Sequence, residues 1–441
     1  MITELLAQQR RLEASQWWGP ARIRNHQWTQ LRALLAHTLQ SVPFYAERLR
    51  GIDPANLTEA AWSRIPVLTR REVQQAGDAL LAKSYPASHG ALTSVTTGGS
   101  SGIPVRIRKT ALANLMWNAI LVREEHWHRD DPLGSMARIR RMPRGLTPEQ
   151  EALVYSPSGL MWPDYGPPTN QLWPTGQVGI MDDRVAIPDQ AAFLLRLQPA
   201  YLFTFPANLR LLLAHFRDSP TPLRLRSVWT LSEIVDDSLR ELCRQIFGCH
   251  IVHNYTAAEG GYLALQCPEA SPHFHVQSEA VLLEVLDADG QPCRPGEVGR
   301  VVITPLHNFA CPLIRYEIGD LAEVGAPCKC GRGLPVLRRI VGRAYDYLTL
   351  PTGERRRADT GYYRISRIAC IREFQIVQKT LSRIEAVLVL SRELTAAEQA
   401  ELFAILAEEF GAAFEFTVSV RDSIARTEAG KLRTFVSEVG R

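Results

Sequence analysis

A chain of 441 residues exceeds one ordinary hydrophobic core, so two or three domains are expected. Its 46% hydrophobic and 22% charged content suit a water-soluble globular protein, and a net charge of +4 with no basic stripe interleaved with aromatics argues against a nucleic-acid binder. No apolar run is long enough to span a bilayer, the early acid Glu4 is unlike a secretory leader, and 8 cysteines in so long a chain suit reduced thiols or metal ligands better than a disulfide frame; a cytoplasmic setting is expected.

In chain order, Leu5, Leu6, Leu12, Leu31, Leu34, Leu35 and Leu39 recur at helical spacing, with a break at Trp17-Trp18-Gly19-Pro20. Ser41-Val42-Pro43-Phe44-Tyr45 reads as extended, because a residue before proline avoids the helical region. Thr69 and Glu72 form a capping-box pattern that opens a short helix. Ala91–Val95 and Val105–Arg108 read as strands around the loop Thr96-Thr97-Gly98-Gly99-Ser100-Ser101-Gly102-Ile103-Pro104, and Ala111–Trp127 as a helix. The stretch 143–190, rich in Pro, Gly, Asp and Trp, reads as irregular. Helices over Asp189–Leu197, Asn208–Phe216 and Asp236–Phe247 then alternate with strands over Tyr201–Phe205, Leu225–Leu231 and Ile251–Tyr255, which predicts an α/β layer with parallel strands. From 279 the pattern turns antiparallel, with strands over Ala280–Leu286 and Gly299–Thr304. Beyond Gly342 lies a compact α+β unit: strands near Phe374–Gln378, Glu385–Leu390 and Phe414–Val420, and a helix from Thr395 to Phe410. Arg355-Arg356-Arg357 reads as a solvated loop.

Several stretches carry chemistry, and each has a bland alternative. The loop Thr96–Pro104 combines hydroxyls and glycines that can converge backbone N–H groups on a phosphate; a plain surface turn fits equally well. It is not a Walker loop, since no Gly-Lys-Ser/Thr closes it. Asn254–Gly261 ends a buried strand, where open α/β sheets place their ligands, and with a phosphate nearby Glu259 suits Mg²⁺. Alternatively Glu259 is an acid at a helix N-terminus. Asp320, beside Arg315 in Leu313–Asp320, can accept from ribose hydroxyls or belong to a surface ion pair. Arg343 follows Gly342 at the boundary, where a Gly-Arg pair suits a hinge with a cation facing the cleft, and Lys431 sits on a polar turn from which it can reach into a cleft, although taken alone it reads as an exposed loop lysine.

The order of these five stretches resembles the adenylate-forming (acyl-CoA synthetase) superfamily, and within it the phenylacetate–CoA ligase branch with its CapK-like and coenzyme F390 synthetase-related members; Val42-Pro43-Phe44-Tyr45 fits too. The resemblance implies a large N-terminal adenylation domain over residues 1–342 and a small mobile α+β domain over 343–441, rotating about a hinge near Asp346. It implies that Thr96, Thr97, Gly98, Ser100, Ser101 and Gly102 contact the β- and γ-phosphates of ATP, Tyr255 lies near the adenine with Thr256 beside it, and Asp320 holds the ribose. Arg343 would reach the nucleotide, Glu259 would bind Mg²⁺, and Lys431 would steady the α-phosphate and the acyl carboxylate. Two positions depart from the pattern: Ile103 stands where the loop often has lysine, and Ala258 where a hydroxyl usually touches the α-phosphate, with Thr256 in place of a glycine.

A separate cluster concerns zinc. Cys328-Lys329-Cys330-Gly331 is a tight pair, and Cys267 and His273-Phe274-His275 lie upstream. With CapK-like proteins carrying cysteines in these places, the expected structural site is Cys267, His275, Cys328 and Cys330, with His273 competing for the histidine place; chance thiols are the alternative. Cys243, Cys249, Cys293, Cys311 and Cys370 are expected in the core.

The expected activity is therefore ATP-dependent adenylation of a carboxylic acid, aromatic or otherwise planar, with transfer to CoA or another acceptor. Trp162, Trp173, Phe203 and Phe205 are candidates for an acyl wall, although core packing accounts for most aromatics at such positions. Transfer of AMP to an acceptor hydroxyl, or a nucleotide-binding partner protein without turnover, are the alternatives. No nucleic-acid or membrane partner is expected, and a homodimer is admitted.

Overall fold

The computed structural model describes the 441-residue chain except residues 1, 97–105, 129–130, 142–144, 218, 220, 270–271, 344–346, 354, 359–361, 366–367, 412, 426–432 and 440–441, with the backbone alone at 96, 343, 347, 355–357 and 362–363. The chain divides into two compact units, one ending at Ile340 and the other beginning at Val341.

The first unit opens with helices Ile2–Ser15 and Pro20–Ser41, broken at Gly19-Pro20 as expected. Val42 is extended before Pro43, but Tyr45–Arg48 turns back into a short helix rather than continuing extended. Tyr45 explains this: fully buried, its hydroxyl donates to the Pro312 carbonyl and accepts from the Ile314 amide, so the aromatic segment folds inward. The Thr69–Glu72 capping box is formed and opens the helix Arg70–Ala76.

Strands β1 (Leu92–Thr96) and β2 (Arg106–Thr110) pair antiparallel as a separate hairpin. Between β2 and the main sheet runs the helix Ala111–His128. The main sheet takes β3 (Met136–Ile139), β4 (Leu160–Trp162), β5 (Val178–Met181), β6 (Tyr201–Thr204), β7 (Ser227–Leu231), β8 (His250–Ala257), β9 (Gly261–Gln266), β10 (Phe274–Val276), β11 (Val281–Leu286), β12 (Val298–Pro305), β13 (Tyr316–Val324) and β14 (Val336–Arg343). Their spatial order is β11-β12-β13-β14-β10-β9-β8-β7-β6-β3-β5-β4. The pairs β5/β3, β3/β6, β6/β7 and β7/β8 are parallel, as the helix–strand alternation predicts; β8/β9 and β11/β12/β13 are antiparallel. The predicted irregular stretch 143–190 is partly regular: a Thr147–Gln150 capping box opens the helix Pro148–Val154, and β4 and β5 lie within it.

The two ends of the sheet have separate cores. Ile139, Phe193, Leu202, Leu213, Val228 and Phe247 fill the parallel end under the helices Ile187–Leu197, Pro206–Arg217 and Asp237–Phe247. Leu34, Leu68, Leu263, Val301, Ile314 and Tyr316 fill the antiparallel end under the N-terminal helices. Each fully buried side chain of this size contributes roughly 1.5–3 kcal/mol of transfer free energy.

The second unit has β15 (Tyr347–Thr349) paired with β16 (Arg355–Arg357), so the arginine run is a strand rather than a loop. Its main sheet orders β17 (Ile371–Gln378), β18 (Arg383–Leu390), β19 (Glu415–Val420) and β20 (Phe435–Ser437) as β19-β18-β17-β20, with the Thr395-capped helix Ala396–Phe410 packed on it. Of the cysteines expected in the core, Cys243, Cys249, Cys311 and Cys370 are buried, whereas Cys293 is half-exposed at the strand margin.

Candidate active site

The parallel strand β8 delivers Tyr255, Thr256 and the turn that follows. No helix follows Ala257. The chain turns at 258–260 and returns as antiparallel β9, so Glu259 is a turn acid and not an acid at a helix N-terminus. The register shifts between Tyr255 and Thr256 against β9, a bulge that re-aims successive side chains at the strand end.

Asp320 comes from β13, held in place by an unusual residue upstream. Arg315 has φ +51°, rare outside glycine, and the conformation persists because its surroundings fix it. Its guanidinium donates to the carbonyls of Ser63 (2.8 Å) and Ile65 (2.6 Å) and pairs with Glu284 (3.1 Å). Its amide donates to the Thr304 hydroxyl, and its carbonyl accepts from Leu68. Arg315 is thus neither a surface residue nor the partner of Asp320. It anchors the entry to the strand that carries Tyr316 and Asp320.

These elements converge. The Tyr255 hydroxyl donates to Asp320 Oδ2 at 2.8 Å, joining residues 65 apart in sequence, both buried. The Tyr316 hydroxyl lies 3.5 Å from Glu259 Oε1, and Arg70 Nη1 lies 3.7 Å from the same oxygen. Glu259 also lines a pocket with Lys109, Trp117, Gly260, His307 and Asn308. Lys109 is buried on β2; burial pushes its ammonium down to about 8, opposed by the charge of Glu259. Asn308 donates to the Arg108 carbonyl and so ties β2 to the segment after β12. Tyr255 and Asp320 are therefore brought together, and Glu259, on the turn after β8, meets Tyr316 of the strand that carries Asp320. Thr97, Gly98, Ser100, Ser101, Gly102, Ile103, Asp346 and Lys431 lie outside the described residues, and Thr96 and Arg343 are placed by backbone only, at the ends of β1 and β14.

Sequence reasoning missed Lys109, Arg70 and Asn308, which stand in no recognisable pattern. It also missed the polar end of the helix Ala111–His128, which buries Arg123, Glu124, Glu125 and His128. Asn254 donates to Glu124, Arg123 pairs with Glu279 at 2.9 Å, and burial beside Glu124 and Glu125 raises the phenol of Tyr262. Among the proposed wall aromatics, Trp162 and Phe203 are half-buried against the core at β4 and β6, Phe205 is buried, and Trp173 stacks on His126 at 4.8 Å.

The cysteine cluster assembles from three segments. Ligand atoms of Cys267, His275, Cys328 and Cys330 all lie within 4.8 Å of one another. Tetrahedral zinc with Zn–S near 2.3 Å and Zn–N near 2.0–2.1 Å sets S···S at about 3.8 Å and S···N at about 3.5 Å. Cys267 and Cys328 sulfurs stand 3.8 Å apart, and Cys330 Sγ lies 3.4 Å from His275 Nε2, so the donor set fits the ion. Burial holds His275 as neutral imidazole, its pKa pushed down to about 4, while His273 Nε2 approaches Cys328 at 3.0 Å. Burial pushes the Cys267 thiol up to about 12; at Cys330 burial acts the same way but is outweighed by hydrogen bonds and the nearby charge of Arg332, which pull it down. The turn is pinned to the N-terminal helices: Gly333 donates to the Gln16 carbonyl at 3.0 Å, and Arg332 bonds the Gln16 side chain while lying over the rings of Trp17 and Trp127. A Cβ at Gly333 would stand 1.8 Å from the Trp18 carbonyl oxygen, so the close approach requires glycine there.

Structural comparison gives the fold of this arrangement. The chain superposes on 2-hydroxyisobutyryl-CoA ligase in the postadenylation state with R3-HIB-AMP at a TM-score of 0.70, covering 96% of this chain and 91% of that one at 16% identity. The fold is that of the adenylate-forming CoA ligases. Anthranilate CoA ligase AuaEII, in complex with anthranoyl-AMP, matches at 0.52, over 76% of this chain and 65% of that one at 14% identity. In sequence, residues 363–438 match the CapK C-terminal domain. The phenylacetate–coenzyme A ligase of Thermus thermophilus is 29% identical over 168 residues, which are 36% of this chain and 38% of that protein. Protein CapK of Staphylococcus aureus is 21% identical over 313 residues, 69% of this chain and 64% of that protein. The chain thus spans less than two thirds of either relative's length. The resemblance drawn from the five motifs and the α/β fold class are borne out by these matches. Among the described residues no helix is long and apolar enough to cross a membrane.

Proposed function

We propose that the protein is an AMP-forming ligase: it adenylates a carboxylic acid with ATP, releases pyrophosphate, and passes the acyl group to CoA or another thiol or amine. The observation that carries this reading is the Tyr255–Asp320 hydrogen bond, which joins two motifs 65 residues apart on β8 and β13, with the Tyr316 hydroxyl of β13 lying 3.5 Å from Glu259. In the reaction a carboxylate oxygen attacks the α-phosphorus; an acyl O–P bond forms, the bond to the β-phosphate oxygen breaks, and its electron pair leaves on pyrophosphate. The acceptor sulfur or nitrogen then attacks the acyl carbon, and AMP departs with the electrons of that anhydride bond.

Asp320 is assigned to the ribose hydroxyls, oriented by Tyr255, whose ring lies against the adenine with Thr256 beside it. Thr96, Thr97, Gly98, Ser100, Ser101 and Gly102 are assigned to the triphosphate, and Arg343 to the nucleotide. Lys431 is assigned to the α-phosphate and the acyl carboxylate, where fixed positive charge stabilises the developing negative charge. The buried carboxylate of Glu259 is the group suited to Mg²⁺, which when bound neutralises phosphate charge. Cys267, His275, Cys328 and Cys330 would hold a structural zinc, since four protein ligands close the site. Residues 1–342 form the adenylation domain and 343–441 the domain carrying Lys431, in a cytoplasmic enzyme. The acid is aromatic or planar, in keeping with the aromatic side chains of β4 and β6.

The test is exchange of labelled pyrophosphate into ATP over a panel of acids. Exchange should appear with at least one acid and fall at least about 100-fold in Lys431→Ala, the scale of losing one fixed transition-state charge. Consumption of CoA separates ligation from transfer of AMP to a hydroxyl. A protein that binds ATP but exchanges with no acid would sink the ligase reading.

A further inference from the structure

Lys109 is a buried cation that the assignments above do not use. It is 6% exposed, on β2, in the pocket it shares with Trp117, Glu259, His307 and Asn308. Among the described residues its ammonium forms no ion pair. The face of Trp117 lies 5.1 Å from it, and Glu259 acts on it through space while making its own ion contact with Arg70. A buried charge without a hydrogen-bonded counter-ion is expensive, and one cation–π contact offsets only part of that cost. Such a group persists where a ligand completes it.

The neighbouring groups indicate which ligand. An acid suited to a divalent cation and an ammonium face one cavity without bonding each other, which suits a metal-bound polyanion. The sequence adds a second observation: Ile103 leaves the preceding loop without the cation that the resemblance leads one to expect, six residues before Lys109. We propose that Lys109 supplies from β2 the positive charge that this loop lacks, binding the oxyanions of the departing pyrophosphate end of MgATP. The proposal rests on the ATP reading of the same site. Because the ammonium approaches from a strand held by Asn308 and by Thr93 pairing, it is fixed before the ligand arrives.

The experiment compares wild type with Lys109→Met, which keeps the length and removes the charge. Titration calorimetry with MgATP and with magnesium pyrophosphate, thermal melting without ligand, and the KM for the acid are measured together. The expected result is at least about tenfold weaker binding of both MgATP and pyrophosphate, a higher melting temperature without ligand, and an acid KM within about twofold of wild type. Unchanged MgATP and pyrophosphate affinities, or an effect confined to the acid KM, would overturn the proposal. So would a Lys109→Met protein that fails to fold, since the ammonium would then be a structural group. If wild type binds neither nucleotide nor pyrophosphate, the ATP reading falls, and the proposal falls with it.

Discussion

At the scale of single residues, the contact between Tyr255 and Asp320 makes a graded prediction. Both are buried, and the hydroxyl donates to a carboxylate. Tyr255→Phe leaves Asp320 without one donor, so it should lower stability by about 1–2 kcal/mol and weaken MgATP binding only a few-fold. Asp320→Ala removes the proposed ribose acceptor itself and should weaken MgATP by tenfold or more, read by calorimetry alongside thermal melting. Equal losses of affinity for the two variants would mean that Asp320 acts only as a partner of Tyr255. These two residues were legible because each stands in a motif whose order is informative. Lys109 was not, because nothing local in Arg106-Ile107-Arg108-Lys109 states that the last of three cations is the buried one. That is decided by Trp117 on the next helix and by Glu259, 150 residues away.

At the scale of elements, the cysteine turn is where metal and chain geometry meet. Its ligands come from the end of β9, from β10 and from the loop between β13 and β14, so an ion there ties three strands and, through Gly333 and Gln16, the N-terminal helix. Protein purified without added metal should hold about one zinc per chain; less than about half an equivalent would refute the site. Chelation, or Cys328→Ser, should lower the melting temperature while leaving MgATP affinity of the surviving folded fraction intact, because the quartet shares no residue with the proposed nucleotide site. His273→Ala should retain the metal, since His275 completes the quartet. Legibility also varied by element. Parallel strands were read from apolar runs bounded by helices, which burial on both faces dictates. Strands β4 and β5 were missed because they are short and set among Pro, Gly and Asp, and β16 because three arginines carry no strand signature. Those strands are defined by their partners, and a partner is tertiary information.

At the scale of the whole molecule, residues 341–441 have what an independent domain needs. Their four-stranded sheet and the helix Ala396–Phe410 enclose a core of Leu348, Ile365, Phe374, Ile384, Leu402, Phe410 and Phe435. Phe410 is 1% exposed and stacks on Phe435 with centroids 5.8 Å apart. About a hundred residues around one apolar centre is a size at which domains fold alone. A fragment of residues 341–441 should therefore unfold in one cooperative transition by circular dichroism and denaturant titration. Phe410→Ala empties the centre of that core and should cost the fragment about 3–5 kcal/mol. In the full-length protein the same substitution should lower the transition of this unit while the transition of residues 1–340, whose cores share none of these side chains, keeps its midpoint. A fragment without cooperative unfolding, or a substitution that moves every transition equally, would show that the two units are one thermodynamic body and would remove the basis for assigning Lys431 to a domain of its own.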